Sequence, residues 1–133
     1  MAKILVCVAW PYASGPRHLG HAASTFIPAD VVARYHRMTG DDVLMVGGSD
    51  MHGTPMMVRA DEEGVTAREV AERYHVLHAK NIEQLGVRYD LYWNTAAADH
   101  KAWVQEIFLT LRSKGHVYEA TMTAPFCTTD NRF

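Results

Sequence analysis

The sequence predicts an α/β fold built on an open parallel β-sheet with flanking helices. Two continuous apolar runs, Ile4 to Val8 and Val43 to Val46, are typical of strands in a parallel sheet that is covered on both faces. A helical pattern connects them, so strand, helix and strand form a crossover unit. Because ligands bind at the carboxyl ends of the strands in such sheets, the functional residues are expected in the loops after these runs.

The connection between the two strands is predicted to contain two helical stretches. Pro28 cannot occupy a helix interior without removing a hydrogen bond and clashing with the preceding turn, so we expect a break or kink there. Apolar residues recur at helical spacing from Pro28 to Met38, and Gly40 is placed to end this second stretch.

Two helices are predicted after the second strand. Pro55 opens a short helix that ends near Gly64. Thr66 and Glu69 have the spacing of a capping box, which predicts the start of a longer helix that runs to about Leu85.

The remaining elements are less regular. Val87 to Trp93 favours β-structure but contains Asp90, which predicts a short strand or an extended segment. A final helix is predicted from about Ala97 to Lys114, ending at Gly115. Its apolar face comprises Trp103, Ile107, Phe108 and Leu111.

Charge and cysteine content narrow the functional classes. A formal net charge of −2 excludes a strongly basic module, so any nucleic acid must be held mainly by residues outside this chain. Of the two cysteines, Cys7 and Cys127, the first is predicted to be a buried thiol rather than half of a disulfide, which favours a reducing, cytoplasmic compartment. No apolar run approaches the ~20 residues of a membrane span, and no signal peptide is recognisable.

The loop from Ala9 to His21 follows the first strand and leads into a helix. His18 and His21 are three residues apart and therefore share one face of the first turn, where unpaired backbone N–H groups favour anions. Three interpretations are open. The two rings form hydrogen bonds with solvent or backbone only, they bind a metal together with Asp50 and His52, or they donate hydrogen bonds to phosphate oxygens.

The surrounding residues favour the phosphate interpretation. Gly15 and Gly20 allow a bulky ligand to approach the backbone closely, and Pro11 and Pro16 hold the loop. Neither a Walker loop nor a dinucleotide glycine fingerprint is present, which argues against kinases and dehydrogenases.

The loop from Gly47 to Thr54 is expected to meet the first loop at the same sheet edge. Asp50 ends an apolar strand, where a carboxylate is costly without a partner, so it either binds a cation such as an α-ammonium or caps the following turn. Trp10 and Tyr12 lie near that edge. They are expected either to form the walls of an apolar pocket or to pack in the core.

The other histidines are expected to serve no chemical purpose. His75 and His78 share a face of a predicted helix but adjoin no loop or strand end, so we expect them on the solvated surface. No role is assigned to His36, His100 and His116.

Several of these segments together match a known family. Pro11 to His21 resembles the H-I-G-H signature of the class I aminoacyl-tRNA synthetases, and Ala29 to Met38 is similar to the helix after it in the methionine, isoleucine, leucine and valine enzymes. The last three usually have G-W-D where this chain has Gly48 to Asp50. The chain therefore resembles the methionyl-tRNA synthetase family, as its N-terminal portion.

The resemblance implies a domain arrangement and a set of ligands. Residues 1–115 would form the first half of a Rossmann-like catalytic domain and residues 116–133 the start of a connective insertion. Methionine and ATP with Mg²⁺ would be the substrates. Further partners would be tRNA(Met), bound by elements mostly absent from this chain, and the remaining half of the catalytic domain, with no membrane involved.

The resemblance also implies roles for individual residues. His18 and His21 would be catalytic, stabilising the reacting phosphates. Asp50 would bind the methionine ammonium group and Tyr12 would pack against the thioether. The ATP-binding set comprises Tyr12, Gly15, His18, Gly20 and His21, and the methionine-binding set comprises Ala9, Trp10, Tyr12 and Asp50.

This sequence departs from the family pattern at its end. Zinc knuckles in the connective insertion use C-x-x-C pairs, but here Asp130 stands where a second cysteine would follow Cys127. A lone cysteine cannot form a structural zinc site, so zinc is implied for the complete protein only. The lysine-containing second signature, K-M-S-K-S, does not occur.

Two other functions stay open from the residues alone. One is a non-catalytic paralogue or fragment that binds methionine, ATP or a complementary half, and the other is a metal-dependent hydrolase. Half of a sheet would leave an exposed strand edge and an uncovered helix face, which predicts self-association.

Overall fold

A parallel sheet organises the first of two compact units. The computed structural model describes residues 1–129; one unit spans residues 1–101 and the other begins at residue 102. Strands β1 (Lys3–Cys7), β2 (Asp42–Ser49) and β3 (Leu91–Asn94) form a parallel sheet in the order β1-β2-β3. The predicted α/β class with an open parallel sheet is confirmed.

Helices occupy most of the chain between these strands. Those that begin in the first unit are α1 (Leu19–His21), a π-helical segment (Ala22–Phe26), α2 (Ile27–Met38), α3 (Thr54–Glu63), α4 (Ala67–Gln84) and α5 (Ala98–Ser113). The predicted break at Pro28 is a change of helix type. The π-helical turn ends just before α2, and Pro28 lies in the first turn of α2.

The helix ends follow the sequence signals closely. Gly64 adopts the left-handed conformation directly after α3, with φ +67°, as does Gly40 after α2, with φ +85°. At the start of α4, Thr66 Oγ1 accepts a hydrogen bond from the Glu69 N–H at 3.2 Å, and Glu69 Oε2 accepts one from the Thr66 N–H at 2.8 Å. The predicted capping box is confirmed.

Strand β3 is short because of Asp90. Its carboxylate accepts a hydrogen bond from the backbone N–H of Met45 at 2.6 Å and pairs with Arg37 at 2.7 Å. The Asp90 side chain thus accepts the hydrogen bond of a β2 backbone N–H just before β3. Strand pairing starts at Leu91, opposite Val46.

Two apolar clusters form the core of the first unit. One lies between the sheet and the helices and comprises Val8, Phe26, Ala33, Met45, Ile82 and Val87. The other lies around α3 and the start of α4 and comprises Ala13, Met51, Met56, Ala60, Val70 and Ala71. Ala13 belongs to the loop after β1 and Met51 to the loop after β2, so the second cluster anchors both loops.

One face of the sheet is uncovered, which corrects the expectation of strands buried on both faces. Leu5 is 62 % exposed, its partner Leu44 50 % and Leu91 48 %, and Cys7 is exposed rather than buried. Alternate side chains point to opposite faces, and the first core cluster lies on the other face, with Val8 and Met45. A continuous apolar run does not reveal this difference.

The second unit contains most of α5 and the segment after it. The helix carries no buried residue, and Trp103 on its predicted apolar face is 63 % exposed. Gly115 follows with φ +77°, as expected for a helix end. The described residues 116–129 form no helix and no extended strand.

Candidate active site

Backbone hydrogen bonds join the two loops at the carboxyl edge of the sheet. Tyr12 and Asp50 form an isolated parallel bridge, in which the Asp50 N–H donates to the Pro11 carbonyl at 3.0 Å and the Ala13 N–H donates to the Asp50 carbonyl at 2.8 Å. Ala13 is fully buried beneath them. The expectation that these loops meet is confirmed.

His18 caps the helix that carries both signature histidines. Its Nδ1 accepts a hydrogen bond from the Gly20 N–H at 3.1 Å, so in the neutral ring the proton is on Nε2. The exposed ring therefore keeps a donor for a ligand. The centroids of the His18 and His21 rings are 4.0 Å apart, so a single anion can contact both.

Gly20 is required by the position of the His18 ring. A Cβ atom at residue 20 would lie 2.8 Å from His18 Cε1 and 2.9 Å from its Nδ1, closer than a Cβ atom approaches other heavy atoms. The glycine of the signature thus makes room for the catalytic candidate beside it. At Gly15, by contrast, a Cβ would meet only Arg59 Nη2, at 3.7 Å.

His21 is held in its neutral form. Burial lowers the pKa of its imidazole, and the proximity of His18 and Arg17 lowers that pKa further, because a second cation there is unfavourable. Its Nδ1 lies 3.5 Å from the His18 N–H, and Arg17 Nη1 lies 3.5 Å from its Nε2. An arriving phosphate would therefore meet one guanidinium and two imidazoles.

Asp50 is oriented by neighbours in its own loop and after β3. Its Oδ1 accepts hydrogen bonds from the His52 N–H at 3.0 Å and from Thr95 Oγ1 at 3.4 Å. Thr95 Oγ1 in turn accepts one from the Met51 N–H at 2.9 Å. The turn-capping bond considered for Asp50 is present, and among residues 1–129 no hydrogen bond to Oδ2 occurs, which leaves that oxygen for a ligand.

Two aromatic side chains flank this edge through contacts with glycines. A Cβ at Gly48 would lie 2.9 Å from the Trp10 ring, and one at Gly53 would lie 3.3 Å from the ring of Tyr12. Tyr12 is 47 % exposed, whereas Trp10 is half-buried and faces His100 at 6.0 Å. Ala9 is exposed beside them.

A deeper pair of residues supports the loop from beneath. The Arg17 guanidinium donates to the Tyr12 carbonyl through Nη2, and the same nitrogen lies 3.2 Å from His78 Nδ1. His78 Nε2 lies 2.7 Å from the Gly15 carbonyl oxygen. Burial lowers the pKa of His78 to about 4, so its ring is neutral near pH 7.

Comparison with known proteins decides the family. A model of the family described as tRNA synthetases class I (M) matches residues 4–133. The chain belongs to this family. It is 53 % identical over 131 residues to the methionine–tRNA ligase of Dehalococcoides mccartyi strain CBDB1, a match that covers 98 % of this chain and 24 % of that protein. Identity to the Bifidobacterium adolescentis methionine–tRNA ligase is 53 % over 121 residues, covering 91 % and 20 %.

Solved structures agree with the sequence relatives. Mycobacterium tuberculosis methionyl-tRNA synthetase in complex with methionyl-adenylate superposes with a TM-score of 0.83 and 29 % identity, covering 86 % of this chain and 22 % of that one. The Rossmann-like catalytic fold of the family is thereby confirmed for this chain. The chain spans about a quarter of the length of the curated relatives it matches.

The prediction for two histidines of this synthetase chain is wrong. His78 is fully buried rather than solvated, and His75 is half-buried, stacked on Tyr92 with centroids 5.5 Å apart and 3.1 Å from Ser49 Oγ. A signal was present in the sequence. His78 lies four residues before Ile82 and eight after Val70, in the stripe of α4 that faces the core.

The described residues offer no metal centre. Across residues 1–129 no three His, Cys, Asp or Glu side chains are grouped so that they could bind a metal ion, and His18, His21, Asp50 and His52 form no such set. Cys127 is exposed, and Asp130 lies outside the described residues. The donor set required for a metal-dependent hydrolase or a zinc knuckle is therefore not assembled here.

The described helices were also compared with the requirements for a membrane span. Within residues 1–129, none of the helices combines the length and the apolar character that spanning a bilayer would require.

Proposed function

We propose that this chain supplies the first half of the catalytic domain of a methionine–tRNA ligase. The observation that carries the proposal is the backbone bridge between Tyr12 and Asp50, since it joins the loop that leads to the imidazole pair to the loop that carries the Asp50 carboxylate. Residues 1–115 would form this half of the domain and residues 116–133 the start of a connective insertion.

The reaction begins with activation of methionine by ATP, which enters with Mg²⁺. An oxygen of the methionine carboxylate bonds to the α-phosphorus, and the bond from that phosphorus to the pyrophosphate oxygen breaks. Methionyl-adenylate and pyrophosphate result. A hydroxyl of the terminal adenosine of tRNA(Met) then attacks the methionyl carbonyl carbon, and AMP leaves.

The signature histidines would stabilise the first of these steps. An in-line displacement at phosphorus needs stabilisation of charge on the phosphate oxygens more than covalent help. His18 would donate from Nε2, because its Nδ1 is already engaged by the Gly20 N–H. His21 lies beside it, and Tyr12, Gly15 and Gly20 would complete the ATP-binding surface.

The methionine would lie on the other side of the Tyr12–Asp50 bridge. Its ammonium group would bind Asp50 Oδ2, while the hydrogen bonds from His52 and Thr95 hold the other carboxylate oxygen. The backbone of Ala9 and Trp10 would add polar contacts. Tyr12, whose ring is half exposed, would pack against the thioether.

The rest of the catalytic domain and the main tRNA-binding elements would be supplied by residues outside this chain. The competing possibility is that the chain binds methionine or ATP without turnover. Methionine-dependent exchange of labelled pyrophosphate into ATP separates the two. We expect no exchange by the 133-residue chain alone, and exchange when it replaces the matching 131 residues of the Dehalococcoides mccartyi ligase.

Substitution of His21 tests the proposed chemistry in that chimaera. His21→Ala is expected to lower the exchange rate by roughly 10²–10³-fold, as for the loss of one transition-state donor. His116→Ala, at an exposed histidine of the second unit, is the matched control and is expected to exchange at the parental rate. A chimaera that folds but never exchanges, or a His21→Ala variant as fast as its parent, would contradict the proposal.

A further inference from the structure

His78 occupies an unusual position for a histidine with no assigned task. It is fully buried, it extends from α4, and both ring nitrogens face the signature loop rather than the sheet. Its nearest aromatic neighbour is Tyr74, one turn earlier in α4, with centroids 6.2 Å apart. Burial of a polar ring costs free energy unless its nitrogens are hydrogen-bonded, and here both have partners in the loop.

The two partners of His78 determine its tautomer. The Gly15 carbonyl can only accept a hydrogen bond, so Nε2, at 2.7 Å, must carry the proton. The Arg17 guanidinium can only donate, so Nδ1, at 3.2 Å, must present its lone pair. One neutral imidazole therefore donates at one edge and accepts at the other.

Arg17 extends this contact to the rest of the loop. The nitrogen that lies beside His78 also donates to the Tyr12 carbonyl, and Nη1 lies 3.5 Å from Nε2 of His21. Among the described residues its buried Nε has no hydrogen-bond partner, and no carboxylate pairs with this guanidinium. Within residues 1–129, the hydrogen bonds of this guanidinium thus go to the loop and to His78.

We propose that His78 is a positioning residue that, with Arg17, holds the signature loop in the shape in which Tyr12 and His21 face the ligand. The histidine fixes the loop at Gly15 directly and at Tyr12 and His21 through Arg17. Three points of one loop thus depend on a single ring of α4. The consequence for ATP rests on the proposed function, whereas the consequence for loop structure does not.

Hydrogen exchange in the 133-residue chain tests the structural part. In His78→Leu, which can neither donate nor accept, the hydrogen-bonded amides of Ala13, Gly20 and His21 are expected to exchange at least about tenfold faster. His78→Gln is expected to restore protection, since an amide side chain both donates and accepts. Val87→Ala, a core truncation just after the end of α4, is the control for lost packing and is expected to leave loop exchange unchanged.

Equal loop exchange in the parent and His78→Leu would overturn the proposal, as would a loop loosened to the same extent by Val87→Ala. If His78→Leu does not fold, nitrogen NMR of the imidazole in the unsubstituted chain decides. The Nε2–H tautomer is required, and the Nδ1–H tautomer or a cationic ring at neutral pH would refute it.

Kinetics in the Dehalococcoides chimaera test the consequence for ATP. His78→Leu is expected to raise the KM for ATP and lower kcat in pyrophosphate exchange by about tenfold or more. His78→Gln should recover most of this loss. Unchanged ATP kinetics together with a loosened loop would overturn the positioning role. A chimaera without any exchange would instead count against the proposed function and leave the loop result standing.

Discussion

Among single residues, Gly20 shows how a neighbour can dictate residue type. Its backbone is compatible with alanine, since its φ lies outside the left-handed region, yet the His18 ring occupies the space where a Cβ would lie. The requirement for glycine thus comes from the His18 ring rather than from the turn. The sequence shows the glycine, but only the structure shows that the His18 ring excludes a Cβ at this position.

Gly20→Ala is accordingly expected to separate stability from activity. Alanine at this exposed helical position gains about 0.5–1 kcal/mol of folding free energy, because it loses less backbone entropy than glycine. Displacement of the His18 ring removes its capping hydrogen bond to residue 20, which costs about as much, so the melting temperature should change little. Pyrophosphate exchange by the chimaera should fall by roughly 10–10²-fold as the His18 donor is displaced. Thermal unfolding of the chain and the exchange assay measure the two effects.

Ala23→Gly, at an exposed position of the same helical segment, is the converse control. It is expected to lower the melting temperature while the exchange rate stays at the parental value. A Gly20→Ala variant that exchanges at full rate would show that the His18 ring adjusts without cost.

At the scale of elements, the sheet and the helices differ in how completely they are partnered. Helices α3 and α4 pack through a shared apolar cluster, and α4 begins with a complete capping box. Strands β1 and β2 instead present paired leucines, Leu5 and Leu44, on the uncovered face. Apolar surface of this kind favours association.

Self-association through this face is therefore expected at high protein concentration. Leu5→Lys combined with Leu44→Glu places opposite charges on paired positions and should give a monomer without breaking the strand pairing. Sedimentation velocity compares the two proteins. Val31→Lys, at an exposed apolar residue of α2, should leave association unchanged. A parental chain that is monodisperse and monomeric at the same concentration would contradict the expectation.

For the whole molecule, three histidines of the site region link stability to pH. Burial lowers the pKa of His78 to about 4 and also lowers those of His75 and His21, with the charge of Arg17 adding to the effect at His78 and His21. Between about pH 6.5 and pH 4 the unfolded chain binds protons that the folded chain does not, so stability is full above this window and falls as pH decreases through it.

Loss of stability on acidification is therefore expected, with His78 contributing on the order of 2–3 kcal/mol. Urea unfolding at about pH 7.5, 5.5 and 4.5 measures the dependence. His78→Gln removes the largest of the three titrations and should flatten the curve between these values. Parallel curves for the two proteins would show that His78 does not carry the effect.

The fold and half of the site are predictable from the sequence, because helix ends depend on residues within a single turn of the chain. Pro28 and Gly64 mark helix ends through their own backbone restrictions, and Thr66 and Glu69 satisfy each other within one turn. The meeting of the two loops follows from parallel strand order, which places Tyr12 and Asp50 at one edge.

What the sequence left undetermined depends on tertiary packing. Whether Leu5 and Cys7 are covered depends on which helices pack against that face, and an apolar run is the same in either case. The burial of His78 follows from the register of α4 against the signature loop, 63 residues away in sequence from its partner Gly15. A histidine is polar, which predicts an exposed side chain, whereas its helical spacing from Val70 and Ile82 predicts a buried one.

The Tyr12–Asp50 bridge has a consequence for how this site can change. Its two hydrogen bonds run entirely between backbone atoms, from Asp50 to Pro11 and from Ala13 to Asp50. The spacing of the loops is thus independent of the side chains at positions 12 and 50. Those side chains can therefore be exchanged for others while the two loops keep their spacing, so under the proposed function a change of ligand would need no change of backbone.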